Sequence, residues 1–323
     1  MGQIKSLYSK ILKGIPFRIS TFNFKQVFWS IIRTVLILGI SYIILFPILT
    51  KISSSIMSEQ DLFDKTVKWI PRHITLENYV LVWKAMDYPS AFLNSFLLSV
   101  SISILQLFSC TLIGYGLARF DFRGSNILFA IVIFMLIVPP QVIIIPLYMN
   151  FRFFDLFGLL FNKSINMINT YWPFYLLAIT GTGMRNGLYI YIMRQFFRGM
   201  PQGLEEAAYV DGAGPFRTFF KVMLPGAVPA LVIVFLFSFV WQWNDNYFVS
   251  VFVGGQNLLA NNLSSLARTI SGTGDDMSLM ISRQKFSMIN NTGSLLFITP
   301  LILLYGFMQR YFIESIERTG LVG

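Results

Sequence analysis

Between Glu205 and Pro225 the chain reads EEAAYVDGAGPFRTFFKVMLP, a charged, helix-forming stretch set between two apolar runs. Pro201, just ahead of it, suits the first position of a helix, because its fixed φ is already helical and its missing N–H is not needed there. Glu205 and Glu206 place negative charge in the early turns, where the helix dipole favours it, and Ala207 and Ala208 add strong helix propensity with little bulk. Gly212 is a C-terminal stop able to take positive φ, Gly214 adds a second flexible point, and Pro215 begins another helix. On that second helix Phe216, Phe219, Phe220, Met223 and Leu224 recur at three and four residue spacing, with Arg217 and Lys221 off the stripe. The sequence therefore predicts a helix from Pro201 to Asp211, a turn at Gly212, and an arm from Pro215 to Leu224 that Pro225 closes. The stripe requires burial, under a membrane as a floor or against another protein.

The rest of the 323-residue chain is 55% hydrophobic and 12% charged, with a mean hydropathy of +0.63. That exceeds what one soluble core uses, so lipid is the expected solvent. Uncharged runs long enough for roughly 30 Å of hydrocarbon occur at Thr34–Thr50, Tyr88–Ala118, Gly124–Phe151, Ser164–Met184, Val222–Asn244 and Phe286–Gln309. The fold class expected is an all-α integral membrane protein with six transmembrane helices, the Glu205 stretch lying between spans four and five. The first run begins too late and is too long for the apolar core of a signal peptide. The organisation is a basic N-terminal segment (1–26), a first span (27–50), an outer segment (51–87), a core of five spans (88–312) holding the loop 194–225, and a tail (313–323).

Charge orients the chain. With both termini in the cytoplasm, the inner segments hold 14 basic residues and the outer ones 10, Arg185 left aside, and six of the inner ones precede Thr34, so the positive-inside rule gives N-in, C-in. Near the start, Ile4, Leu7, Tyr8, Ile11 and Leu12 form one helical face with Lys5, Lys10 and Lys13 off it, an amphipathic helix for the inner leaflet or for a partner. The formal charge of +10 is dispersed among apolar runs and forms no nucleic-acid-binding stripe.

Chemistry of the enzymatic kind is missing. One histidine, His73, and one cysteine, Cys110, supply no Cys/His metal site and no internal disulfide. No G-x-x-x-x-G-K-[ST] occurs, so the chain has no phosphate-binding P-loop. None of the six apolar runs carries the Asp, Glu or His that loads a proton in a proton-coupled carrier. An energy source in a separate subunit is the expectation.

The spacing Glu206-Ala207-Ala208, three residues, Gly212, nine residues, Val222, one residue, Leu224-Pro225 resembles the E-A-A-x3-G-x9-I-x-L-P loop of ATP-binding cassette importer permeases, with Val for Ile. The chain also resembles their carbohydrate, maltose-permease-like branch at ITLENY (Ile74–Tyr79), YGLARFDFRG (Tyr115–Gly124), VPPQVIIIPLY (Val138–Tyr148), RQFFRGMP (Arg194–Pro201), WND (Trp243–Asp245) and QRYFIES near the end. It departs at its C-terminus, which reads RTGLVG where relatives often end in Gly-Val-Lys-Gly.

The resemblance implies that the loop is a coupling helix seated in a groove of a cytoplasmic ATPase, with Glu205, Glu206, Ala207, Ala208, Asp211, Gly212, Leu224 and Pro225 as its coupling residues. It implies a second, different permease subunit, two copies of the ATPase, and an extracytoplasmic solute-binding protein for which the segment from Asn246 to Lys285, with its Gly272–Asp275 tip, is a contact. The chain itself would bind no cofactor, ATP and Mg being used by the ATPase. For the substrate path the sequence offers Arg185, after Gly181-Thr182-Gly183, and the cluster Trp241, Trp243, Asn244, Asp245 and Tyr247. Aromatic faces and polar edges suit a sugar, and the same composition makes an interfacial aromatic belt. Rival readings are a permease for a non-sugar solute and a membrane sensor or scaffold coupled to an ATPase.

Overall fold

A computed structural model describes residues 24–155, 164–271 and 283–320. The N-terminal amphipathic stretch and the Gly272–Asp275 tip lie outside the described residues. The chain divides into two units, Met1–Ile52 and Ser53–Gly323. The first consists, where described, of most of α1 (Phe24–Ser55), whose stretch Val27–Ser55 is apolar and long enough to cross a membrane.

The second unit opens with short helices α2 (Glu59–Phe63) and α3 (Glu77–Ala85). Asp61 organises the segment between them. One carboxylate oxygen accepts from the backbone N–H groups of Arg72 and His73 at 2.7 Å each, and the other meets His73 Nδ1 at 2.9 Å. Asn78 ties the segment to its start by donating to the Ser55 and Met57 carbonyls. Residues 55–78 are thus tied together by side-chain hydrogen bonds to backbone.

Next comes α4 (Tyr88–Arg119), the central helix, followed by α5 (Ser125–Ile137), α6 (Pro140–Arg152), α7 (Trp172–Ile179) and α8 (Asn186–Gly199). The loop helices are α9 (Gly203–Val210), α10 (Pro215–Thr218), a π-helical turn (Phe219–Met223) and α11 (Leu224–Gly226). Then come α12 (Val228–Trp243), α13 (Tyr247–Val253), α14 (Leu259–Ser271) and α15 (Arg283–Gly320). Helix α4 packs most extensively against α8 and α12. At its crossing with α8 the backbones come so close that a Cβ on Gly114 would stand 2.6 Å from Met193 Cβ.

Among the described residues three helices are long and apolar enough to span, and two bent pairs raise that to as many as five; the expected fourth span is not among them. The expected third span turns by 105° between α5 and α6. Val138 precedes Pro139 and Pro139 precedes Pro140, and both are driven into the extended region by the following ring. Pro146, by contrast, sits inside α6. The expected fourth span, Ser164–Met184, holds only the eight residues of α7; positive φ at Gly181 and Arg185 marks the break that separates it from α8. The fifth begins at Val228 rather than Val222, after a 74° bend at Ala227.

Two apolar clusters form the core. One joins Leu98 and Ile102 of α4 to Phe239, Trp243, Phe252 and Ile289, and the other joins Cys110, Tyr115 and Leu117 to Phe197, Met223 and Val234. On α4 and α12 the residues between the clusters are polar: Gln106 donates to Asn186 Oδ1 at 2.7 Å and accepts from Ser238 Oγ. Each of these buried groups satisfies another, which fixes the relative rotation of α4, α8 and α12.

Candidate functional site

Two places gather the chemistry. The first is the loop helix α9. Its start lies two residues past Pro201, since Gln202 is the N-cap, a boundary difference of ordinary size. Gly212 takes φ +79°, and its N–H bonds the Tyr209 carbonyl at 3.0 Å. The turn is the left-handed stop that a glycine there allows.

The two glutamates part company. Glu205 faces inward, accepting from Tyr115 Oη at 2.9 Å and lying 3.4 Å from Arg119 Nε, with side chains only 6% (Arg119) and 13% (Glu205) exposed. Arg119 also donates to the Met200 carbonyl at 2.8 Å. The loop is therefore clamped to the end of α4 by a buried ion pair. Glu206, Ala207, Asp211 and Gly212 are exposed, whereas Ala208 is buried, so one alanine rather than two is open to a neighbour.

The apolar stripe also divides. Phe219 and Met223 are buried with Thr218, but Phe216 is 82% exposed and Phe220 half exposed. The π-turn adds a residue to that turn and takes the stripe out of a single face. Together with Val210, 87% exposed, Phe216 leaves an apolar surface around the Gly212 turn. Leu224 is half-buried and Pro225 exposed, within α11 rather than at its end.

The second place is a cavity of about 380 Å³ walled by α4, α6, α7, α8, α12 and α13, within the usual range for small-molecule sites. It brings together Arg185, Trp241, Asn244, Asp245 and Tyr247. Trp243 is excluded: it is 3% exposed, its indole N–H donates to the Phe297 carbonyl at 3.1 Å, and it stacks on Phe239. It is a core residue, not part of the wall. The Arg185 guanidinium carbon lies 3.2 Å from the centre of the Trp241 ring, a cation–π contact that holds the charge at the cavity edge. Asp245 receives the Phe248 N–H on one oxygen at 3.0 Å. Sequence reasoning passed over Gln106, Ser238 and Gln242, which also line the wall; a polar residue within an apolar run was their signal.

A helical chain with membrane-length apolar helices, a cavity between them, and a loop helix presenting an apolar surface has the build of a membrane transport subunit. The chain belongs to the family of binding-protein-dependent transport system inner membrane components, which matches residues 110–318. It is 28% identical over 287 residues to the arabinooligosaccharides transport system permease protein AraQ of Halalkalibacterium halodurans, covering 88% of this chain and 93% of that one. It is 31% identical to the osmoprotective compounds uptake permease protein GgtD of Synechocystis, over 93% of this chain and 95% of the relative. These relatives are transporter permeases, not enzymes. Among solved structures, a bacterial ATP-binding cassette importer of the acidic polysaccharide alginate shares the fold with TM-score 0.70 at 21% identity, over 92% of this chain and 100% of that one.

Proposed function

We propose that this chain is the permease subunit of an ATP-driven, binding-protein-dependent sugar importer in a prokaryotic cell membrane. Supporting the sugar reading are the saccharide permeases among its relatives, which include an alpha-glucoside permease of Rhizobium meliloti at 32% identity and a diacetylchitobiose permease of Streptomyces coelicolor at 34%. The observation that carries the coupling is the loop helix itself. It is fixed from behind by Glu205 on Tyr115 and Arg119, and it offers Glu206, Ala207 and Asp211 with exposed Val210 and Phe216 around a left-handed Gly212.

In this reading both termini are cytoplasmic and the chain crosses six times. Helices α5 with α6, and α7 with α8, serve as broken spans, a form membrane proteins use where backbone lines a cavity. A second, different permease completes the path, two cytoplasmic ATPase subunits use ATP and Mg, and a solute-binding protein delivers sugar from outside. This chain binds no cofactor. Closing of the ATPase pair pushes α9, and the Glu205 clamp passes that movement to α4, one wall of the cavity.

The test is reconstitution of the full assembly in proteoliposomes. Sugar uptake is expected only with both ATP and binding protein present, and uptake that continues without either would sink the reading. Gly212→Val tests the coupling. No atom lies within 4 Å of a Cβ there, so the cost is backbone strain, about 1–2 kcal/mol. The variant is expected to hydrolyse ATP while losing uptake, and Gly212→Asn, which tolerates positive φ, to retain most of it.

A further inference from the structure

Two polar groups in the cavity wall lack what the other buried polar groups of that wall have. The Gln242 side-chain nitrogen and the second Asp245 carboxylate oxygen, Oδ2, are both sealed from solvent, and neither has a hydrogen-bond partner among the described residues. Gln106 and Ser238, close by on the same wall, satisfy each other. Unpaired buried groups of this kind are costly, so a molecule that pairs with them is bound in proportion. The last torsions of Asp and Gln side chains have broad wells, so a small rotation turns either atom into the space its residue lines. Asp245 is nonetheless held in place, because its other oxygen accepts the Phe248 N–H.

We propose that Gln242 and Asp245 form a donor–acceptor subsite that takes neighbouring hydroxyl groups of a neutral saccharide, and that Asp245 turns acidic sugars away. The inference rests on the sugar-importer reading above and adds to it the charge class of the solute. An amide N–H donates and a carboxylate oxygen accepts, and two adjacent hydroxyls offer one acceptor and one donor in return. A carboxylated or phosphorylated solute satisfies Gln242 but meets the like charge of Asp245. A cationic solute satisfies Asp245 but leaves Gln242 unpaired.

The remaining charge of the wall agrees with this. Its charged side chains are Arg185 and Asp245, one of each sign, so the lining is formally neutral. The guanidinium that would attract an anion lies against the Trp241 face. Trp241 and Tyr247 add ring surface for the C–H faces of a sugar.

The experiment has two stages on the complete transporter. Uptake in proteoliposomes first establishes which of arabinotriose, maltose and diacetylchitobiose is carried. Saturation-transfer NMR on the purified transporter without its binding protein then measures affinity for that sugar and for trimannuronate. Wild type is expected to bind the carried neutral sugar and not trimannuronate. The isosteric Asp245→Asn and Gln242→Glu variants, which keep side-chain volume and so assembly, are expected to weaken the neutral sugar about tenfold, and Asp245→Asn also to admit trimannuronate. Unchanged affinity and selectivity in both variants, with uptake intact, would overturn the subsite and leave the sugar reading standing; water alone would then satisfy the pair. Failure of wild type to carry any saccharide would remove both.

Discussion

At the scale of single residues, Glu205 shows most clearly how position outweighs composition. Two adjacent glutamates stand 100° apart on a helix, so one turns to Tyr115 and Arg119 while the next stays in water. Removing one partner of a buried pair leaves the other charge uncompensated, at about 3–5 kcal/mol. Glu205→Ala is therefore expected to lower the melting temperature of the purified protein clearly, and Glu205→Gln, which keeps an oxygen for Tyr115, to lower it less. Equal losses would mean that the charge on Glu205 contributes nothing. The same geometry explains which residues of the cavity were legible. Trp241 and Trp243 read alike as composition, yet two steps along α12 turn them about 200° apart, one onto the cavity and the other into the core. Gly212 was legible because only its backbone mattered: a helix stop followed by Pro215 asks for left-handed φ, and φ is +79°.

At the scale of elements, hydropathy located the apolar stretches but not their direction. Run length reports how much lipid-compatible chain there is; whether it continues straight depends on a few dihedrals. A proline pair such as Pro139-Pro140 bends a helix, but a 105° turn needs both residues before a proline to leave the helical region together. The π-turn at Phe219–Met223 left no periodic trace, and it sends Phe216 and Phe220 outward from a stripe that seemed continuous. Long-range polar staples were equally invisible, and Asp61 is the best example. The His73 backbone N–H, foremost, and the His73 ring and Arg72 N–H hold its carboxyl below the ordinary value of 3.8. A carboxyl whose folded pKa is depressed contributes stability that is present above the unfolded value and lost as pH falls through the folded one. Residues 58–73 are therefore expected to resist proteolysis at neutral pH and to become cleavable only below the ordinary aspartate range. Asp61→Asn, which cannot accept all three bonds as a charge, is expected to be cleaved readily at pH 7. If wild type and variant show the same pH profile, the Asp61 bonds do not hold the segment together.

At the scale of the whole molecule, the proposed sidedness rests on a modest excess of basic residues in the inner segments, 14 against 10, and six crossings built partly from broken helices. Loop charge sets orientation because lysine and arginine resist translocation, and an even number of crossings puts both ends on one side. The chain is well suited to a direct test, since its single cysteine, Cys110, is fully buried between α4 and α8. With Cys110→Ala as background, exposed positions become the only labelling sites. Gln202→Cys and Arg217→Cys, on the loop around α9, are expected to react with a membrane-impermeant maleimide only in inside-out vesicles. Lys65→Cys, in the segment that Asp61 organises, is expected to react only in right-side-out cells. Both loop positions must label together, because α9 and α10 are joined through Gly212 without a crossing between them. Labelling of Lys65→Cys and Gln202→Cys from the same side would mean an even number of crossings between residues 65 and 202, where this topology has three, so that one broken pair does not span. That result would convert α5 with α6, or α7 with α8, into a re-entrant loop, and would place the cavity they wall nearer one surface.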